Sequence, residues 1–447
     1  MTGLLIAPVI GYWAVLSPKV ALLTTILGLS GMVLLAKPIW AIYALIVGTF
    51  LDSIGLDVGF AILGMGDLVC FALIPIWLAH RLLSPQDLQM PKGFVFLILF
   101  ATLSFASMML GVAPQTAYTG YARFVFYILV LVAFTDMVRD IEVLDRILII
   151  VALCALAQAL SGFILPASGH GRLSGLAQQP NILGAKIAFG IFPMAAFFMR
   201  SKSSIMRLLI GLSLGTMLVA IGLTMSRGSY IGVLFAGIFW VRHSGRSVLL
   251  FSAVGCLAFV GLNSLATERV SQIERRLQFD GSSAANRAQV MRNAFKAIEK
   301  YPIMGVGFAQ FKQVADAVDI SSEAGRGGHS FYLSTAASAG LPALMAFLLF
   351  MWIQSSRMNR VRKRLREDAP PAGESRSTET PWGDRTRALW VVNTVQAIMV
   401  FHGISLVVRG SQRLTEWTMF SLYAATAMLI SRGLKRETQT ASRPVEE

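Results

Sequence analysis

Three arginines and one histidine are the residues whose types could do chemistry together in this chain. Arg227 sits in "LTMSRGSYIGV", where Ser226, Arg227 and Gly228 interrupt an apolar stretch running from Leu208 to Val241. An arginine so close to hydrocarbon is costly unless it faces water or an anion; the plainer alternative is a side chain that snorkels to the interface. Arg172 lies in "GRLSGLAQQPNILGAK", with Gln179, Pro180 and Asn181 just before another apolar run. Pro180 biases the residue before it away from the helical region, so a helix starts at or after it. Arg287 has Arg275, Arg276 and Arg292 as neighbours, and any one of them taken alone reads as a solvated charge. His329 stands where a polar segment drops into an apolar run, with Tyr332 three residues on. An interfacial histidine is often structural, but with an ordinary pKa of about 6.5 it can also act as a general base. An arginine's rigid fork of donors suits phosphate. At roughly 1.5–3 kcal/mol per charge-assisted bond, two or three arginines could stabilise a diphosphate leaving group without a metal. No DxD pair, HExxH or paired histidines mark a metal site.

The elements that must position these residues are membrane helices. The 447 residues are 55% hydrophobic and only 14% charged, with a mean hydropathy of +0.64, whereas soluble domains carry about a quarter charged residues. Apolar runs of roughly twenty residues recur, and in lipid such spans must be helices. The alternation of an outer-membrane barrel is absent. The reading is an all-α polytopic membrane protein with about 12–14 spans. Residues 4–51 leave room for roughly two ordinary spans or three short ones, and Leu4 to Leu16 reads as a retained span and not a signal peptide. Then come Asp67–Ala79, Phe94–Leu110, Tyr121–Phe134, Ile147–Leu165, Ile182–Met199, Leu208–Thr224, Tyr230–Val241, Val248–Leu262, Tyr332–Ile353, Ala388–Val408 and Trp417–Ile430. Cys70, Cys154 and Cys256 all fall in apolar runs and read as small core residues.

The net charge of +15 would point to nucleic acid in a soluble protein. Here the basic residues sit in short loops, as cytoplasmic loops require, and no nucleic acid is expected. His80-Arg81, Arg200/Lys202/Arg207, Arg242/Arg246, the cluster "RMNRVRKRLRE" and the tail all fall on one side. The polar segment 264–329 then lies outside. The domain reading is an N-terminal bundle 1–263, the external loop 264–329, C-terminal helices 330–431 with a cytoplasmic linker 354–387, and a tail 432–447. Within the loop, Ser283 to Lys300 reads as a helix that Ser282 or Ser283 can cap and Pro302 stops. Gly305 and Gly307 permit close approach of backbone to a partner or to phosphate. Tyr332 is expected on the same helical face as His329.

Four strings in order, "RLSGLAQQPNILG", "LTMSRGSYIGV", "NRAQVMRNAFKAIEKYPIMGVGFAQF" and "HSFYLSTAASAGLPAL", resemble the bacterial O-antigen ligase and polymerase superfamily. The resemblance runs from about Arg172 to Leu344 and implies a GT-C-like helical fold in the inner (plasma) membrane, active on the periplasmic face. It implies a donor glycan on an undecaprenyl-diphosphate carrier, and an acceptor that is lipid A–core for a ligase or a second lipid-linked glycan for a polymerase. O-antigen and exopolysaccharide assembly both remain open. Membrane lipids and other polysaccharide assembly proteins are the further expected partners, and no cofactor or metal is expected. Carried over residue by residue, the resemblance makes Arg227 and Arg287 ligands of the diphosphate and His329 the residue that activates or orients the acceptor hydroxyl. Arg172, Asn181, Ser226 and Tyr332 would line the same cavity. The family usually has asparagine after the histidine, where this chain has Ser330. A flippase or transporter of the lipid-linked glycan is the competing reading, although the chain shows no internal repeat of the kind transporters carry.

Overall fold

The computed structural model describes residues 36–57, 62–83, 87–165, 172–244, 281–310, 330–367, 385–408 and 414–441. Among them are thirteen α-helices and one small antiparallel hairpin. In order these are α1 (Ile39–Phe50), β1 (Gly55–Asp57), β2 (Ile62–Gly64), α2 (Met65–Leu83), α3 (Phe94–Leu110), α4 (Pro114–Met137) and α5 (Ile141–Ile164). A 3-10 turn (Gly175–Ala177) leads into α6 (Pro180–Arg200), α7 (Ser204–Thr224) and α8 (Arg227–Ser244). After the polar segment's α9 (Gly281–Lys300) come α10 (Phe331–Ala339), α11 (Leu341–Glu367), α12 (Arg385–Val408) and α13 (Leu414–Ala441). Seven of the helices, α2, α4, α5, α6, α7, α11 and α12, are long and apolar enough to cross a membrane. Apart from the hairpin, the described residues form a helical, multi-pass membrane protein. The spans expected at Leu4–Leu16 and Val248–Leu262 lie outside the described residues, as does residues 368–384 of the linker.

α6 is the axis of the bundle. Every residue from Ile182 to Ala196 is buried, and a helix apolar all round belongs inside others. Glycines let its neighbours approach: a Cβ on Gly190 would collide with Ala155 of α5, and one on Gly184 would stand 2.7 Å from Ser229 Oγ and 2.9 Å from Thr224 Oγ1. Small residues bring membrane helices together in this way. By contrast α7 is peripheral, with Ile205, Leu208, Leu209 and Leu212 exposed as a lipid-facing stripe.

A second core is aromatic. Phe100, Phe124, Phe347, Trp417 and Phe420 pack ring against ring from α3, α4, α11 and α13. Phe308, from the polar segment, inserts among them, 5.2 Å from the Phe124 ring centroid. The polar segment is thus anchored in this aromatic core by its own Phe308.

The two ends of the bundle differ. At one end Asp136 accepts from Trp77 Nε1 (2.9 Å), Gln89 N (3.0 Å) and Arg139 (3.0 Å). Asp145 pairs with Arg200 there at 2.7 Å, and Arg366 and Asn393 both donate to His243 O. This basic end includes the cluster Arg357–Glu367, which the structure shows as a continuation of α11. The opposite end holds Phe50, Pro180, Thr224, Arg227, Leu110 and the start of α13.

Candidate active site

The site end is built around an interruption between α7 and α8. Met225 adopts a left-handed conformation (φ 51°), and the chain resumes as helix at Arg227. Backbone that leaves the helix at membrane depth must find other partners, and here each carbonyl from Ile221 to Met225 has one. Ile221 O accepts from Thr224 Oγ1 at 2.7 Å. Gly222 O accepts from Met225 N at 3.2 Å and from the Tyr230 hydroxyl. Leu223 O accepts from Leu173 N at 3.3 Å. Thr224 O and Met225 O accept from Arg172 Nε (2.9 Å) and Nη2 (3.2 Å). A guanidinium is well suited to this place, because the end of a helix concentrates unpaired carbonyls and partial negative charge.

The same Arg172 Nη2 donates to Asn181 Oδ1 at 3.1 Å, one residue into α6. Ser226 is buried, and its hydroxyl accepts from Ser229 Oγ at 3.0 Å. Arg172, Asn181 and Ser226, expected to line one cavity, are therefore brought together, with Arg227 exposed at the first position of α8. Helix N-termini favour anions, so this arginine and its own helix end present positive charge in one place.

Tyr332 lies across the site end on α10, where its hydroxyl donates to Gly403 O of α12 at 3.2 Å. α12 also lies against α8, where a Cβ on Gly232 would meet the Phe401 ring at 2.7 Å. α10 begins at Phe331, and the expected helical-face relation between Tyr332 and His329 falls outside the described residues with His329 itself. His329 lies outside the described residues. Arg287 falls on α9, whose backbone is described there although the arginine's side chain is not; Arg275 and Arg276 are likewise outside the description, and Arg292 is exposed.

Ser330 has a definite task. It is the N-cap of α10, its hydroxyl accepting from Leu333 N at 3.4 Å. Asparagine and serine are about equal as N-caps, so the substitution keeps the helix start that an asparagine would provide.

Two expectations about the polar segment need correction. α9 starts at Gly281, so Ser282 and Ser283 lie within its first turn and neither precedes the helix as a cap. Gly305 and Gly307 bring backbone close to α10 and not to a phosphate: Val306 N donates to Ala337 O at 2.9 Å and Gly307 N to Ser338 O at 3.0 Å. Both glycines have positive φ, and a Cβ on Gly305 would stand 2.5 Å from Ser338 O. These amides bind the buried carbonyl end of α10. Pro302 O then accepts from Leu341 N at 2.8 Å as α11 begins.

Other polar groups were not singled out from the sequence. Lys186, buried in α6, donates its Nζ to Phe50 O at 2.7 Å, and Gln158 Nε2 donates to the same carbonyl at 2.7 Å. The signal was present, since an ionisable residue inside an apolar run is a reason to look. Gln310 accepts from Ala113 N and donates to Met108 O, each at 2.8 Å, tying the polar segment to the α3–α4 turn. No group of metal-ligating side chains occurs among the described residues.

No curated protein matches the chain. Residues 212–348 match the family model described as O-antigen ligase. That window opens inside α7 and closes inside α11, so it contains the α7–α8 interruption, α9 and α10. The match supports a ligase- or polymerase-type role in glycan assembly. The match over these residues supports the O-antigen ligase and polymerase superfamily for this multi-pass membrane protein.

Proposed function

We propose that the protein is a glycosyltransferase that takes a glycan from a polyprenyl-diphosphate carrier at the outward face of the bacterial inner membrane and passes it to a hydroxyl acceptor. The observation that carries this reading is the coincidence of the O-antigen ligase match with Arg227, Arg287 and His329, all of which fall inside 212–348. Arg227 and Arg287 would hold the diphosphate as charge develops on it. His329 would take the proton from the acceptor hydroxyl, or orient that hydroxyl, as the glycosidic bond forms and the carrier diphosphate departs. Asn181, Ser226 and Tyr332 would shape the cavity. The basic cluster at the opposite end supports the orientation, since lysines and arginines accumulate on the cytoplasmic side.

The test is glycan analysis of a deletion strain complemented with R227A, R287A or H329A, each checked for its level in the membrane. Loss of polymer with protein retained supports transfer, and wild-type polymer from all three refutes it. Single repeat units on the core would mark a lost polymerase. Accumulated carrier-linked polymer would mark a lost ligase. Purified protein that moves carrier-linked glycan across a bilayer without forming a glycosidic bond would replace the reading with transport.

A further inference from the structure

We propose that Arg172 is a positioning residue: it acts on the donor only through Arg227, by locking the end of α7 from which Arg227 emerges. The inference rests on the transferase reading for Arg227 and assigns Arg172 a different task from its expected place among the cavity-lining groups. The geometry carries it. Arg172 Nε and Nη2 are directed at Thr224 O and Met225 O, the last two carbonyls before Ser226, and Nη2 also reaches Asn181 Oδ1. Its backbone neighbour adds a third tie to the same helix end, Leu173 N to Leu223 O. One short segment thus clamps α7's end to the start of α6, and Gly184 lets α6 press against Thr224 and Ser229 from the other side. Met225 needs such a clamp, because a non-glycine residue held at positive φ persists only where its surroundings over-determine it.

A fork is required. Lysine offers a compact point charge on a flexible stem and does not reproduce two directed bonds plus a third to an amide. A phosphate ligand, by contrast, can often be replaced by lysine with partial retention, since charge is much of what it supplies.

The experiment measures transfer in membranes from R172A, R172K, R227A and the double variant R172A/R227A, with a carrier-linked glycan as donor. Both Arg172 variants are expected to lose about tenfold or more in turnover, one directed charge-assisted interaction being worth about that factor. In the R227A background, where no cation is left at 227 to position, R172A should add less than about twofold, the signature of residues acting as one unit. Near-normal transfer by R172K, or losses that multiply in the double variant, would overturn the proposal and make Arg172 a ligand in its own right. A second readout needs no activity. With Cys70, Cys154 and Cys256 replaced by alanine, S226C is labelled in intact cells with a charged maleimide. Ser226 is 2% exposed, so labelling should be slow with Arg172 present and rise severalfold in R172A and R172K. Unchanged labelling refutes the clamp. Faster labelling in a protein that shows no transfer at all sustains the clamp and refutes the transferase reading instead.

Discussion

Two helix interruptions lie at the site end, and they are held in opposite ways. Between α7 and α8 the carbonyls are covered largely by side chains: Arg172, Thr224 and the Tyr230 hydroxyl. Between α10 and α11 they are covered mainly by backbone, the amides of Val306 and Gly307 meeting Ala337 and Ser338, with one side chain, Ser107, added at Ser338 O. The first leaves an arginine exposed where the chain restarts. The second leaves nothing charged, and its centre, Gly340 (φ 88°), has no room for even a methyl against Ile303 O. A side-chain clamp keeps helix ends apart and can present a functional group between them. A backbone clamp needs glycine and close contact, and closes the gap it spans.

The sharpest way to break this contrast is Gly340→Ala. Positive φ and the collision with Ile303 O together should cost about 3 kcal/mol or more, read as loss of folded protein from the membrane or as early unfolding in detergent. Arg227→Ala should do the reverse. Transfer should fall about ten- to a hundredfold, the worth of one or two charge-assisted bonds, while thermal unfolding followed by tryptophan fluorescence stays within about 0.5 kcal/mol of wild type. A stability loss there as large as that of Gly340→Ala would erase the distinction. Gln310→Ala strips partners from Ala113 N and Met108 O and should destabilise by about 2 kcal/mol. Tyr230→Phe removes one bond to Gly222 O, at about 1 kcal/mol. Ser330→Asn, which exchanges one good N-cap for another, should change stability by only a few tenths of a kcal/mol, whereas Ser330→Ala should cost about 1 kcal/mol. A marked loss in Ser330→Asn would mean that the hydroxyl does more than cap.

Much of the architecture was legible because lipid imposes one solution on an apolar run. α3 has the bounds that its apolar run predicts, Phe94–Leu110, and α9 ends before Pro302 as a proline requires. What was read as a single span from Tyr332 to Ile353 is two helices, α10 and α11. Both sides of the interruption are apolar, so hydropathy passes over it; the signal was local, a glycine at 340 followed by a proline at 342. The α7–α8 interruption was visible because its residues are polar. Its mechanism was not, since nothing in a one-dimensional reading connects Arg172 to carbonyls 224 and 225. Gly305 and Gly307 were recognised as a point of close approach, but composition cannot say whether a ligand or the chain itself occupies the space.

Ser107 shows what this arrangement asks of biosynthesis. Its hydroxyl donates to Ser338 O at 2.7 Å and accepts from Phe308 N at 3.0 Å, joining α3 to two segments that follow it 231 and 201 residues later in the chain. A ribosome delivers these segments in order: first the serine, then the turn, and last the helix end that both must meet. Until residue 338 emerges, the amides of Val306 and Gly307 have only water for company. Closure of the site end is therefore a late event in translation, and a chain stopped before the end of α10 lacks the carbonyls that fasten its polar segment.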